Sequence, residues 1–154
     1  MEIQQINHQD IFEQGPMIYK SYKDLESLLD ELRDRTLDEE VIRDINKKID
    51  AVNSFRGDEK EYTKQLKKAQ QSILYILHQK IQIVPQNYYR NMWMGLGMAV
   101  FGIPLGTALG LVMENMAFIG AGIAIGVPLG LGIGTNLDKK AEKEGRQLKF
   151  ELNK

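Results

Sequence analysis

The chain has 154 residues, and its 20 lysines and arginines so nearly balance its 21 aspartates and glutamates that the formal net charge is −1. That balance gives no bulk attraction to nucleic acid, and the absence of cysteine excludes disulfides, thiolate metal sites and cysteine nucleophiles. The mean hydropathy of −0.33 hides the main feature, because it averages a polar first part with a very apolar second one.

Residues 1–20 open with MEIQQINHQD, which is polar and lacks the apolar core of a secretory signal, so no cleavable signal peptide is expected. Ile3, Ile6, Ile11 and Phe12 are only weakly periodic, and Gly15-Pro16 marks a break. The stretch reads as a flexible arm, disordered or ordered by a partner.

Residues 21–84 carry helical patterns. Ser21 with Asp24 resembles a capping box, and Leu25, Leu28, Leu29 and Leu32 form one stripe that ends near Arg35. Thr36 with Glu39 resembles a second box, opening a helix with Ile42, Ile45, Ile49 and Val52 on one face and ending near Phe55, before Gly57. A third helix is expected from Asp58. Its apolar positions Tyr62, Leu66, Ala69, Ile73, Ile76 or Leu77, and Ile81 follow a coiled-coil seam. Three helices with one apolar face each predict a small bundle.

Residues 85–91 form a connector in which Pro85 stops the third helix. Tyr88, Tyr89 and, just beyond it, Trp93 are the ring types that anchor a span at headgroup level.

Residues 92–137 read MWMGLGMAVFGIPLGTALGLVMENMAFIGAGIAIGVPLGLGIGTNL, with Glu114 the one charged residue. Glu114 and Asn115 divide this stretch into two apolar runs of about 22 residues, each reaching about 33 Å as a helix against a bilayer core of about 30 Å. Eleven of the 14 glycines lie here. Each interior glycine costs a water-exposed helix about 1 kcal/mol. In lipid the helix is enforced, and glycine instead permits close approach. Gly102, Gly106 and Gly110 recur every four residues, as do Gly122, Gly126, Gly130 and Gly134. A four-residue step advances only about 40° around a helix, so each set forms a groove and a candidate interface within or between chains. Gly95, Gly97, Gly120 and Gly132 add close-approach surface on other sides, which favours subunit contacts. An internal repeat sets Gly102-Ile103-Pro104-Leu105-Gly106 against Gly126-Val127-Pro128-Leu129-Gly130. Pro104 and Pro128 are candidate kinks or hinges, expected at similar depth.

Residues 138–154 read as a charged tail. Arg90 precedes the first span and Lys139, Lys140, Lys143 and Arg146 follow the second, while the turn between the spans carries only Glu114. The positive-inside rule then places both termini in the cytoplasm.

No motif for catalysis, cofactor binding or metal binding is recognised, and no enzyme is expected. Glu39, Glu40 and Asp44 are interleaved with Arg43, Lys47 and Lys48 as on a solvated helix face. His8 and His78 stand far apart in sequence and read as surface residues. The glycine pattern Gly102–Gly134 with its polar exit, Asp138-Lys139-Lys140-Ala141 and Glu144-Gly145-Arg146-Gln147-Leu148, resembles the glycine-zipper hairpins of small bacterial membrane proteins over about the last 60 residues. The resemblance implies a self-associating inner-membrane protein and carries over no catalytic residue. The sequence thus predicts an all-α, multi-pass integral membrane protein: a cytoplasmic helical bundle or coiled coil followed by a two-helix glycine-zipper transmembrane hairpin. Its partners are the lipid bilayer, further copies of itself and a cytoplasmic protein. The expected function is an oligomeric pore or ion channel controlled by the cytoplasmic helices, or alternatively a membrane anchor or scaffold that presents them to a partner.

Overall fold

In the computed structural model the chain is described at residues 1–7 and 16–151, and it is predominantly helical. It divides into two compact units, Met1–Val84 and Pro85–Lys154.

The first unit contains α1 (Pro16–Arg33), α2 (Glu39–Asn53) and α3 (Glu59–Ile81). Helix α1 is described from Pro16 onward. The helix therefore begins before Ser21, which is buried within it, so the capping role expected of Ser21 does not arise. Ile18 and Tyr22 extend the stripe of Leu25, Leu28, Leu29 and Leu32, all buried. Helix α2 begins at Glu39 with Asp38 at its N-cap, so the box expected at Thr36 does not form. Helix α3, expected from Asp58, begins at Glu59, and Asp58 caps it, its carboxylate accepting the Glu61 N–H at 2.8 Å. Helix α3 packs on both α1 and α2, and its buried positions include Leu66, Ala69, Ile73 and Leu77.

The leading residues are not free of the bundle. Asn46 on α2 accepts the Gln4 N–H and donates to the Glu2 carbonyl, both at 2.9 Å. Asn53 accepts the Asn7 N–H at 2.9 Å and donates to the Gln5 carbonyl at 3.0 Å. Arg33 on α1 donates to the Gln4 carbonyl at 2.8 Å. Ile3 and Ile6 are buried. The arm expected to be flexible is thus, over residues 1–7, docked against α1 and α2, because two apolar side chains and satisfied backbone groups offset the entropy of ordering it. Residues 8–15, including His8 and Ile11, lie outside the described residues.

The carboxylates of α2 are used across the bundle. Lys80 on α3 donates to Glu40 and Asp44 at 2.6 Å each. Hydrogen bonds from Lys80 and then Lys47 hold the Asp44 carboxyl at about 2, against an ordinary 3.8. A carboxyl depressed on folding stabilises the folded chain above its unfolded value, and that stabilisation is lost as pH falls through the folded value. Thermal unfolding followed by circular dichroism should therefore weaken between about pH 4 and pH 2, and Asp44→Asn should flatten that part of the profile.

Strand β1 (Val84–Gln86) begins on the last residue of the first unit, and the second unit holds the rest of it, α4 (Tyr88–Leu96), a π-helical turn (Gly97–Gly102), α5 (Ile103–Val112), α6 (Phe118–Lys143) and β2 (Gln147–Glu151). The α4, π and α5 segments run on as one 25-residue helix, Tyr88–Val112, and α6 is its 26-residue return. Both are long and apolar enough to cross a membrane. The strands β1 and β2 pair as a two-stranded ribbon. Two expected boundaries therefore move. The first helix of the hairpin starts at Tyr88 rather than Met92, within the connector expected at 85–91. The tail expected from Asp138 is helical to Lys143 and a strand from Gln147.

Candidate functional site

From Tyr88 to Leu137 every buried residue is a glycine: Gly97, Gly102, Gly106 and Gly110 on the outgoing helix, and Gly122, Gly126, Gly130 and Gly134 on the return. The two helices meet backbone to backbone along this seam, with no side-chain core between them. A Cβ placed at Gly106 would lie 2.6 Å from the Ile119 Cα, and one at Gly126 would lie 2.5 Å from the Gly97 carbonyl oxygen. At Gly134 it would lie 2.6 Å from both the Arg90 Cα and the Tyr89 carbonyl oxygen. At Gly122 it would collide with the Gly102 carbonyl, and at Gly130 with the Trp93 carbonyl. Gly102 and Gly110 are less tight, their nearest atoms being the Ile123 Cα at 3.0 Å and the Asn115 carbonyl oxygen at 3.3 Å. Dispersion between closely apposed backbones holds such a pair where lipid supplies no hydrophobic drive.

Gly97 belongs to this seam, although the four-residue repeat leaves it out. The step from Gly97 to Gly102 is five residues, one too many for an α-helical groove. The π turn takes up the extra residue: the Ile103 N–H reaches back five residues to the Met98 carbonyl. Both glycines then face α6. A Cβ added at Gly95, Gly120 or Gly132 would meet no atom within 4 Å, so these three stand outside the seam.

The prolines do not share a depth. In an antiparallel hairpin, residues equidistant from the turn are level, and Gly102 faces Gly122 while Gly126 faces Gly97. Pro104 is therefore level with the start of α6, and Pro128 with the neighbourhood of Gly97, roughly 12 Å apart along the axis at about 1.5 Å per residue. Their settings differ as well. Pro104 sits in the first turn of α5, directly after the π turn, whereas Pro128 lies inside an unbroken α6.

The turn is closed by a Schellman arrangement. Glu114 adopts a left-handed φ of 52°, the Asn115 N–H bonds the Gly110 carbonyl at 2.9 Å, and the Glu114 N–H reaches the Leu111 carbonyl at 3.4 Å. Asn115 then accepts the Ala117 N–H at 3.0 Å, which leads the chain into α6. Glu114 itself is exposed.

At the other end of the hairpin Asp138 is buried and reaches from α6 to α4, accepting the Tyr89 N–H at 3.1 Å and the Arg90 N–H at 2.8 Å. The local N-cap of α4, Asn87, makes no side-chain cap bond, so Asp138 satisfies donors that α4 leaves open. A carboxylate at a helix N-terminus is also favoured by the helix dipole. Asp138→Ala should cost about 2 kcal/mol of hairpin stability and speed amide exchange at Tyr89 and Arg90, measured by thermal unfolding and hydrogen exchange in detergent. Sequence reading places Asp138 among tail charges because its partners lie 48 and 49 positions away.

The expected anchors Tyr88, Tyr89 and Trp93 are half-buried on α4, with the two tyrosine rings edge to face at 5.2 Å. The outer face of the hairpin is apolar, with Val100, Phe101, Leu111, Val112, Ile125 and Leu129 among its exposed side chains. The hydroxyl of Thr107 is turned onto its own helix, donating to the Ile103 carbonyl at 2.8 Å. The arrangement offers close packing and an apolar exterior, and brings no set of nucleophile, base and oxyanion donor together among the described residues. No protein-family model, curated protein or solved structure matches the chain.

Proposed function

We propose that this chain is a membrane-anchored binding module: the hairpin holds the first unit at a bilayer surface, where that unit engages a partner protein. The observation that carries this reading is the composition of the hairpin's two faces. Its inner face is all glycine and is consumed by contact with its own return helix, and its outer face is apolar. An apolar exterior of this extent suits lipid rather than water, and only 22% of each apolar window is buried, unlike the core helix of a water-soluble protein. A hairpin satisfied in this way has no polar stripe left to line a conduit.

The setting follows from the charges. Arg90, Lys139, Lys140, Lys143 and Arg146 flank the ends of the hairpin opposite Glu114, which favours a multi-pass topology in a bacterial inner membrane with the helical unit cytoplasmic. The test combines three measurements. The protein should stay in the membrane pellet after alkaline carbonate extraction. A cysteine replacing Glu114 should react with an impermeant thiol reagent in whole cells, and one replacing Lys149 should not. Purified protein in liposomes should carry no current. Release by carbonate would defeat the anchor, and the opposite labelling would reverse the topology.

A pore formed by several copies is the second reading, and two observations favour it. The π turn at Gly97–Gly102 is a conformation often retained at functional sites, and Gly95, Gly120 and Gly132 leave open surface for close approach by another hairpin. Sustained conductance by wild type, altered when Pro104 and Pro128 are both replaced by alanine, would establish the pore over the anchor.

A further inference from the structure

The cleft between α1 and α2 is occupied by the chain's own residues Met1–Asn7, and the way they are held is specific. Asn46 binds the carbonyl of Glu2 and the N–H of Gln4, the two backbone groups that flank Ile3. Asn53 binds the carbonyl of Gln5 and the N–H of Asn7, the two groups that flank Ile6. Each amide thus clamps the main chain around one buried isoleucine. The spacing is matched on both sides. Seven residues of helix separate the asparagines and cover about 10.5 Å, and the three residue steps between the isoleucines would cover about 9 Å at the rise of polyproline II, whose three-residue turn puts residues three apart on one side. Gln4 and Gln5, between the anchors, are exposed. Arg33 adds a bond to the Gln4 carbonyl from the opposite wall. Beside the segment the cleft still holds an open volume of about 670 Å³ walled in part by Leu32, Leu37 and Ile42.

A surface that grips main-chain groups and takes two aliphatic side chains reads any segment of that pattern, because backbone bonds supply affinity and side-chain pockets supply selection. We propose that the α1/α2 cleft is a peptide-binding groove for a non-helical segment of a second protein bearing aliphatic side chains three residues apart, and that residues 1–7 are its built-in occupant, holding the groove closed until displaced. This names the binding surface of the anchored module. It rests on that reading for the setting at a membrane, though the groove's chemistry does not depend on it. The intramolecular occupant competes at a high effective concentration, so only a segment that fits both clamps displaces it.

The chain has no cysteine, so a dye can be attached cleanly at Gln5→Cys in the full chain, held in lipid nanodiscs. Titration with the free peptide MEIQQIN should release the labelled segment and lower its fluorescence anisotropy, while the peptide with both isoleucines replaced by aspartate should leave it unchanged. In a second measurement, the Ile3→Asp, Ile6→Asp double variant should bind labelled MEIQQIN at least tenfold more tightly than wild type, and adding Asn46→Ala should remove that gain with helix content preserved. Failure of the peptide to shift the dye on the folded full chain overturns the groove, whether or not the double variant folds. If the double variant instead forms a dimer that the peptide does not dissolve, a second copy fills the cleft and the proposal falls. Conductance in the same nanodisc-purified protein would end the anchor reading without touching the titration, and a failed titration with silent liposomes would end the groove and leave the anchor.

Discussion

Gly122→Leu or Gly130→Leu should open the hairpin. At both positions even a Cβ collides with backbone on the facing helix, the Gly102 carbonyl in one case and the Trp93 carbonyl in the other. A backbone atom cannot swing aside as a side-chain end can, so the helices must part. Overpacking a side-chain core costs about 1–3 kcal/mol per site, and here there is no side-chain core to absorb it. Gly122→Ala should cost about that much, and the leucine variants should abolish close packing along the seam. Gly120→Ala and Gly132→Ala are the matched controls, because a Cβ at either meets nothing within 4 Å, and they should be neutral. Spin labels at Met94→Cys and Leu129→Cys, both exposed, report the separation by electron paramagnetic resonance. A wild-type distance in the Gly122 and Gly130 leucine variants would show that the seam is not the contact.

How far this architecture can be read without coordinates depends on whether the cause is local. The apolar length and the four-residue glycine step of α6 are local, so Gly122, Gly126, Gly130 and Gly134 share one face on sequence grounds alone. The stripe Ile42, Ile45, Ile49 and Val52 on α2 is equally legible. Asn46, between two of those isoleucines, is not. It is buried because a segment 42 and 44 positions away lies across it, and no periodicity encodes that. Asp138 is hidden for the same reason. Gly97 fails differently, since an α-helical template assigns it to the wrong face by one residue. The paired prolines mislead because a direct repeat suggests equal depth, whereas an antiparallel hairpin pairs residues by their distance from the turn.

The π turn gives the sharpest test of the seam, because it makes the cost of losing a residue depend on where the residue is lost. Deleting Ala99 shortens the Gly97–Gly102 step from five to four. An ordinary α-helical turn then serves, Gly97 and Gly102 still share a face, and the outgoing helix shortens by about 1.5 Å. The hairpin should survive with nearly wild-type thermal stability. Deleting Leu105 shortens the Gly102–Gly106 step from four to three. That rotates everything on one side of the deletion by about 100° relative to the other, so Gly106 and Gly110 cannot face α6 while Gly97 and Gly102 do. One half of the outgoing helix must then present bulky side chains to the Gly122–Gly134 face, and the spin-label distance should lengthen and broaden. Both variants lose one apolar residue from the same span and leave it long enough to cross a bilayer, so a failure to insert does not account for a difference in spin-label distance between them. Equal tolerance of the two deletions would mean that the π turn does not keep the glycines in register, and the backbone seam would lose its explanation for the five-residue step.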